Sequence, residues 1–330
     1  MLNLLLDGNY LLNKIVFVLH KNNMLYGGLH KALENTVKQY RTWFPFANIW
    51  FVSDSKMKSW RKKIYPDYKL GRKKDSEIDW EFAFNAYDEF KRDIKGATVL
   101  EAEHVEGDDF ISFLISESNK SGFSTITVSN DHDIKQLLSW QLNPLTINIM
   151  TNEMFNKEKI FMPKNYQIFL NNLNKSNEGD IFNLNDNTEF MQLIQNFINR
   201  YEVVEVDPNE SLIVKLISGD KSDNIKTIWS KKNKKGLDRG IGKDGAKGLY
   251  DKYIEEFGEV SLADPDLFDN IVDLVIEKKK LSKTEFDKIK TNLELNWKLI
   301  NLHINNLPKQ VINRIDEVYG NIHNQDINRL

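Results

Sequence analysis

Cysteine is absent from the 330 residues, so disulfides, thiol nucleophiles and thiolate-bound zinc are excluded. Long apolar runs are missing too: no stretch reaches the roughly 18 consecutive apolar residues of a membrane span. The opening MLNLLLDGNYLLNKIVFVLH is apolar, but it has no basic leading segment and no small-residue cleavage site, and Asp7 interrupts it. These absences predict a soluble cytoplasmic protein with no membrane partner. An excess of either charge is also lacking. The 45 basic and 48 acidic residues leave a net charge of −3, and that sum alone gives no hint of a polyanionic partner.

The distribution says more than the sum. Between Lys56 and Lys74 stand Lys58, Arg61, Lys62, Lys63, Lys69, Arg72 and Lys73, against Asp67 alone. A second basic run holds Lys231, Lys232, Lys234, Lys235, Arg239, Lys243 and Lys247. Acidic clusters lie between the two. A 41% hydrophobic, 11% aromatic chain of this length can bury a sizeable core, which argues against disorder.

Five short β-branched or apolar runs read as strands: LNLLLDGN, NIWFVSD, ATVLEAE, STITVSND and TINIM. Helical spacing covers residues from about 24 to 43 and VEGDDFISFLISES. Strands alternating with helices predict an α/β domain around a mostly parallel sheet. In such sheets the functional site lies beyond the carboxyl ends of the strands. Asp7, Asp54 and Asp131 all fall there.

Residues 152–205, rich in Asn, Lys and Asp, read as an insertion or linker with helical pieces such as TEFMQLIQNFINRY. From 206 onward the strand signal fades. ESLIVKLISGD, KGLYDKYIEEF, LFDNIVDLVIEKKK and EFDKIKTNLELNWKLINL are helical, so 206–330 is expected to be all-α. There is no internal repeat.

Further acids sit at local spacings that can share a site. Glu106 and Asp109 stand three apart at a helix start with Asp108 beside them, Asp131 and Asp133 flank His132, and Asp220 and Asp223 stand three apart. Two carboxylates about 4 Å apart repel by roughly 4 kcal/mol at an effective dielectric near 20. A pocket of them therefore needs protons or cations. Oxygen-only donors suit Mg²⁺ or Mn²⁺. Two such ions, about 3.5–4 Å apart, serve phosphodiester hydrolysis. Each acid taken alone fits a humbler role. Asp131 suits a helix N-cap, Asp109 favours a helix dipole, and His132 suits a solvent-facing position.

The motifs LLLDGN, FVSD, VEGDD, VSNDHD and SGDKSDNI resemble, in this order, those of the 5′ nuclease superfamily: flap endonucleases, bacterial 5′–3′ exonuclease domains and phage ribonuclease H. The chain looks most like the ribonuclease H of T-even phages or a related phage flap endonuclease. WRKKIYPDYKLGRKK resembles the basic arch of that family. The resemblance covers roughly residues 1–140 and 206–255.

It implies a PIN-like α/β nuclease domain over 1–151 with a basic helical arch at about 55–80. A duplex-binding helical region with a helix-hairpin-helix-like element would follow over 206–330. Asp7, Asp54, Glu106, Asp108, Asp109 and Asp131 would surround a first Mg²⁺, and Asp133, Asp220 and Asp223 a second. VEGDD leaves open which of Asp108 and Asp109 is the direct ligand.

Lys69 and Arg72 would touch the scissile phosphate, with Arg61 nearby. Tyr65 and Tyr68 suit either base stacking or core packing. RGIGKDGAKGLYDKY resembles the family's phosphate-holding turn, with Gly240, Gly242, Lys243 and Lys247 on the duplex. It departs from the pattern at Asp244 and Gly245, and KTIWSKKNKKGLDR is inserted before it.

The expected activity is divalent-metal-dependent cutting near the 5′ end of RNA–DNA hybrids, flaps or nicked duplex by a monomer, for primer removal in phage replication. A single-strand-binding protein or a sliding clamp is the partner class such a role implies, although no motif shows either. A toxin-type PIN ribonuclease on single-stranded RNA and a catalytically silent branched-DNA binder are the rival readings. The length and arch argue against the first, and the full acid set against the second.

Overall fold

A computed structural model describes residues 2–72, 75–140, 145–152, 157–164 and 202–327. Most of the expected insertion, including TEFMQLIQNFINRY, lies outside these residues. The chain divides into two compact units, each drawn from separated segments. The first comprises Met1–Trp60, Lys74–Val206 and His303–Leu330, and the second Arg61–Lys73 and Asp207–Leu302. The contacts therefore group the last segment with the sheet-containing half, and the basic segment after Trp60 with the helical half.

The first unit is built on a sheet that has eight strands among the described residues: β1 (Leu2–Asp7), β2 (Asn48–Val52), β3 (Thr98–Leu100), β4 (Ser124–Val128), β5 (Ser139–Trp140), β6 (Leu145–Asn152), β7 (Lys157–Pro163) and β8 (Glu202–Val206). They run in the order β3-β2-β1-β4-β6-β7-β8, with β5 against β6. β1 pairs in parallel with β2 and β4, β2 with β3, and β4 with β6, while β7 turns antiparallel on β6.

Register explains the near-continuous apolar character of the central strands. Leu4 lies opposite Ile49 and Ile126, and Leu6 opposite Phe51 and Val128. All six pack with α1 (Gly8–Lys21), α2 (Leu25–Trp43) and α4 (Trp80–Asp93) on one face; α3 (Arg61–Ile64) belongs to the second unit. The other parity faces α5 (Gly107–Lys120). Asn3 Nδ2 donates to Ser118 Oγ at 2.8 Å, and Trp50 and Phe113 both meet Tyr319 of the last helix. A central strand of a parallel sheet is buried on both sides. Each fully buried Leu contributes about 1.5–3 kcal/mol.

The helix α1 begins where β1 ends. The Asp7 carboxylate accepts the Tyr10 N–H at 3.0 Å, capping the helix directly from the strand. Gly8 makes that junction possible. A Cβ there would collide with the Tyr87 hydroxyl and the Phe51 ring and stand 2.7 Å from the Val52 carbonyl oxygen. Gly8→Ala is expected to cost about 1–3 kcal/mol by overpacking. Gly27→Ala, with nothing within 4 Å in α2, is expected to stabilise by about 0.5–1 kcal/mol. Urea midpoints of the two variants check this contrast; equal shifts would remove the steric reading of Gly8.

The second unit holds α3 and the helices α6 (Pro208–Ser218), α7 (Lys243–Phe257), α8 (Leu267–Lys279) and α9 (Phe286–Ile300). Their core includes Leu212, Leu216, Leu249, Val272, Val275 and Leu293. Asp207 caps α6 ahead of Pro208 and also accepts the Tyr250 hydroxyl at 2.8 Å. The region is not purely helical. The basic insertion forms an antiparallel hairpin, β9 (Ser230–Lys232) and β10 (Asp238–Gly240). The expected helical arch contributes only one described turn, α3, followed by left-handed backbone at Lys69 and Gly71. The final helix α10 (Lys309–Ile327) belongs to the first unit. Among the described residues no helix is long and apolar enough to cross a membrane.

Candidate active site

At the carboxyl edge of the first unit's sheet, three loops are tied together through their acids. Asp7 ends β1, and its second oxygen accepts the Ser129 hydroxyl at 2.7 Å. Ser129 accepts the Asp131 N–H at 3.0 Å, and Asp131 accepts the Asp133 N–H at 2.8 Å, capping the 3₁₀ turn His132–Leu137. The Asp131 N-cap is therefore present. Asp54, two residues beyond β2, accepts the Gly107 N–H at 2.7 Å, and its own N–H reaches Asn9 Oδ1 at 3.4 Å. A Cβ on Gly107 would stand 3.3 Å from that Asp54 oxygen, so glycine keeps the approach open.

At this edge like charges act on one another. Burial pushes the Asp7 carboxyl from 3.8 up to about 6; the Ser129 and Tyr10 hydrogen bonds oppose the rise, and Asp54 and Asp131 add to it. The Tyr87 hydroxyl, 3.3 Å from Ser53 Oγ, is raised well above its ordinary value by burial, with Asp7 and Asp54 adding to the shift. It remains a neutral donor. Lys91 lies over the Tyr87 ring at 4.7 Å and pairs with Glu101 and Asp88.

Asp109 has a different task. It is fully buried, and one of its oxygens accepts both the Trp60 indole N–H at 2.9 Å and the Glu106 N–H at 3.0 Å. This closes the first turn of α5 from Glu106 at the N-cap. Asp108, one residue earlier, is half-buried.

In the second unit, Asp220 and Asp223 stand in the loop after α6. Burial would raise Asp220, but the Lys215 ammonium and the Ser222 hydroxyl and N–H hold it down at about 2. Asp223 is buried and paired with Arg72, whose Nε also donates to the Ser222 carbonyl at 3.0 Å. The Lys69 N–H donates to the Asp223 carbonyl at 2.8 Å, and the Lys69 ammonium sits 5.0 Å from the Tyr68 ring centre. The basic segment is thus clasped to this acidic loop. Any ion bound there would have to displace Lys215 and Arg72 from the carboxylates.

Several expected nucleic-acid contacts are placed elsewhere. Arg61 is only 1% exposed, with Nε donating to the Leu299 carbonyl at 2.9 Å, and Tyr68 is 3% exposed within the helical core. Neither reaches a nucleic acid from these positions, because burial has claimed their polar and aromatic faces. Tyr65 packs half-buried against the same core. Gly240 admits the Thr227 side chain, leaving no phosphate-sized opening at its Cα. Gly242 is open and caps α7, and Lys243 beside it is exposed. Lys247 is held by Glu210 and Asp251, each at 2.9 Å.

Among the described residues, no group of three or more His, Asp or Glu side chains is placed closely enough to hold an ion. The donor set at the sheet edge nevertheless suits a hard cation. It offers carboxylate oxygens only, and one of them is pushed far up by burial beside two like charges.

Sequence reasoning missed Asn9, Ser53, Tyr87, Lys91 and Ser129. Asn9 and Ser129 lie inside the quoted motifs LLLDGN and VSNDHD. Tyr87 and Lys91 sit four apart on α4 with no local signal of what they face.

The N-terminal resolvase-like domain of 5′-3′ exonucleases matches residues 3–167, half of the chain. A 5′-3′ exonuclease of Aquifex aeolicus is 33% identical over 138 residues, 42% of this chain and 45% of that protein. One from Mycoplasmopsis pulmonis is 26% identical over 251 residues, 76% of this chain and 66% of its own length. A flap endonuclease Xni of Shewanella is 31% identical over 134 residues, 41% of this chain and 50% of that protein. The chain thus spans about half to two thirds of these relatives. Among solved structures, a phage T5 5′-exonuclease with bound zinc aligns at a TM-score of 0.59 and 15% identity, over 96% of this chain and 97% of its own. A phage T5 flap endonuclease in a complex with DNA and metal ions aligns at 0.57 and 16%, over 96% and 97%. These two similarities carry the fold.

Proposed function

This chain belongs to the 5′-3′ exonuclease family, and from that premise we propose that it is a divalent-metal-dependent 5′ nuclease. It hydrolyses phosphodiesters near the 5′ end of flaps, nicked duplexes or RNA–DNA hybrids, in the removal of primers during phage DNA replication. The observation that carries the proposal is the placement of Asp7, Asp54 and Asp131 at one edge of the sheet, tied through Ser129 and the Gly107 N–H, where Asp54 and Asp131 both act on the buried Asp7 carboxyl. A protein retains such a cluster of repelling acids when a cation completes it.

Asp7, Asp54, Asp108 and Asp131 are the residues assigned to hold Mg²⁺, with Mn²⁺ able to substitute and with Glu106 and Asp133 at the margin. Asp109 is left out, because it is fully buried and one of its oxygens is taken by the Trp60 indole N–H and the Glu106 N–H. Bound divalent ions supply an acidified water and charge neutralisation on the departing oxygen.

The chain's own residues set up that chemistry. Ser129 holds Asp7 and the Asp131 loop in one relative position. Asp54 fixes the start of α5, and with it Asp108. Tyr87 supplies a neutral hydroxyl behind Ser53. Lys243, exposed at the start of α7, is available to a duplex phosphate. Single-strand-binding protein or a sliding clamp fits this role as a partner.

Labelled 5′-flap, nicked and hybrid substrates, incubated with Mg²⁺ or with EDTA, test the reading. Cleavage is expected with Mg²⁺ and none with EDTA. Cleavage confined to single-stranded RNA would favour a PIN-type ribonuclease. Tight binding to flaps with no cleavage in Mg²⁺ or Mn²⁺ would favour a silent structure-specific binder.

A further inference from the structure

The basic insertion KTIWSKKNKKGLDR is the part of the second unit that the family pattern does not contain, and its fold gives it a use. β9 and β10 form a ribbon with Asn233–Gly236 as the turn. The Asn233 side chain accepts the Lys235 and Leu237 N–H groups, and Gly236 is left-handed at φ +75°. Its base is fixed. Gly240 packs flush on Thr227, whose hydroxyl accepts the Ile241 N–H at 3.2 Å and donates to the Ile217 carbonyl at 3.0 Å. Asn292 of α9 holds the Ile228 carbonyl at 2.9 Å. From that anchored base every residue from Lys231 to Arg239 is exposed.

Two features separate this ribbon from an ordinary solvated loop. The first is pairing. Several cations elsewhere in the unit are matched: Lys215 with Asp220, Lys247 with Glu210 and Asp251, Lys252 with Glu256 and Glu277, Lys290 with Asp269. Among the described residues no ion pair involves Lys231, Lys232, Lys234, Lys235 or Arg239. The second is register. Arg239 lies directly opposite Lys231, so two like charges face one another across the ribbon. Directly opposed like charges weaken a strand pair. A short hairpin that keeps them on an anchored base is poised for an external polyanion.

We propose that the hairpin Ser230–Gly240 is a duplex-DNA contact, with Lys231 and Arg239 on one face and Lys234 and Lys235 at the tip neutralising backbone phosphates. The proposal rests on the nuclease reading for its choice of polyanion. A two-stranded β-ribbon fits the major groove of B-DNA, about 12 Å wide. Lysine and arginine there bring affinity and little sequence preference, because phosphates carry no base information. The asparagine–glycine turn and the anchored base limit the ordering cost of binding.

The test compares the full-length wild type with Lys231→Ala/Arg239→Ala and Lys234→Ala/Lys235→Ala, and with Lys252→Ala on α7 as a control. Binding to a blunt 20-base-pair duplex and to a single strand of the same length is followed by fluorescence anisotropy in EDTA from 50 to 200 mM salt. Each double variant is expected to lose about tenfold or more in duplex affinity at 100 mM salt and to flatten the log–log salt slope by about 2. Single-strand affinity should change less, and the control should bind as wild type. The Lys231/Arg239 variant should unfold at the same midpoint as wild type or higher, since a repulsion has been removed.

Unchanged duplex affinity and slope in both double variants, with folding intact, would overturn the proposal. So would an equal loss on both nucleic acids, because that reports bulk charge rather than a groove contact. Cleavage is scored separately on wild type. Absence of cutting with retained hairpin-dependent duplex binding sinks the nuclease reading alone; cutting with hairpin-independent binding sinks the hairpin alone.

Discussion

Asp108→Asn is expected to lower the single-turnover cleavage rate by roughly 10³-fold, about 4 kcal/mol of barrier, with the unfolding midpoint unmoved. Asp109→Asn is expected to stay within about tenfold of wild type. The contrast follows from which atoms are spoken for. One Asp109 oxygen accepts two buried N–H groups, from Trp60 and Glu106. An amide oxygen can still accept both, though more weakly than a carboxylate. Asp109→Leu, by contrast, leaves those donors unsatisfied and is expected to cost about 1–3 kcal/mol of stability. Asp108 loses a charge in the Asn variant, and a hard cation needs charge more than shape. Equal loss of cleavage in the two Asn variants, at equal stability, would return Asp109 to the ligand set.

The second large effect concerns pH. The Asp7 carboxyl is raised by burial from 3.8 in the unfolded chain to about 6 in the folded one. Between those values the folded state binds more protons than the unfolded state. Stability therefore falls as pH rises, and the favourable contribution is fully present below about pH 4 and gone above about pH 6. The loss amounts to about 3 kcal/mol. Metal-free protein is expected to be less stable at pH 7.5 than at pH 5 by about 1.4 kcal/mol, relative to Asp7→Asn, since part of the contribution is already lost at pH 5. The amide retains the cap on α1 without the charge. Chemical unfolding of both proteins in EDTA across this range is the measurement, and parallel pH curves would show that Asp7 carries no such strain. Adding Mg²⁺ at pH 7.5 should restore the wild type and leave Asp7→Asn unchanged.

The parallel core of the sheet was legible because its strands are short apolar runs, each stopped by a polar residue, whereas β5, β7 and β8 were not read as strands. β1, β2 and β4 fall within LNLLLDGN, NIWFVSD and STITVSND, and Asp7, Asp54 and Asp131 stand at or near the ends of those runs. The helix at VEGDD was legible from its spacing, but Asp109's occupation was not. Its partner Trp60 lies 49 positions away, in a segment whose charge pattern points to solvent. Arg61 shows the same limit. Set in a run of lysines it reads as surface, yet its guanidinium donates to a carbonyl 238 positions along the chain. Local sequence cannot announce such a pairing. The basic hairpin was visible as charge and invisible as a ribbon, because Lys-rich sequence carries little strand propensity.

The allocation of segments bears on how the chain comes to be folded. Tyr319, near the last described helical turn, closes on Trp50 of β2 and Phe113 of α5. The sheet's rear face is therefore unfinished until the segment around Tyr319 has left the ribosome. Meanwhile Arg61–Lys73, translated early, awaits partners translated some 150 residues later. Neither unit emerges as a self-sufficient piece during synthesis, and a nascent chain stalled midway would display the apolar side of β1 and β2 to whatever chaperone stands at the tunnel exit.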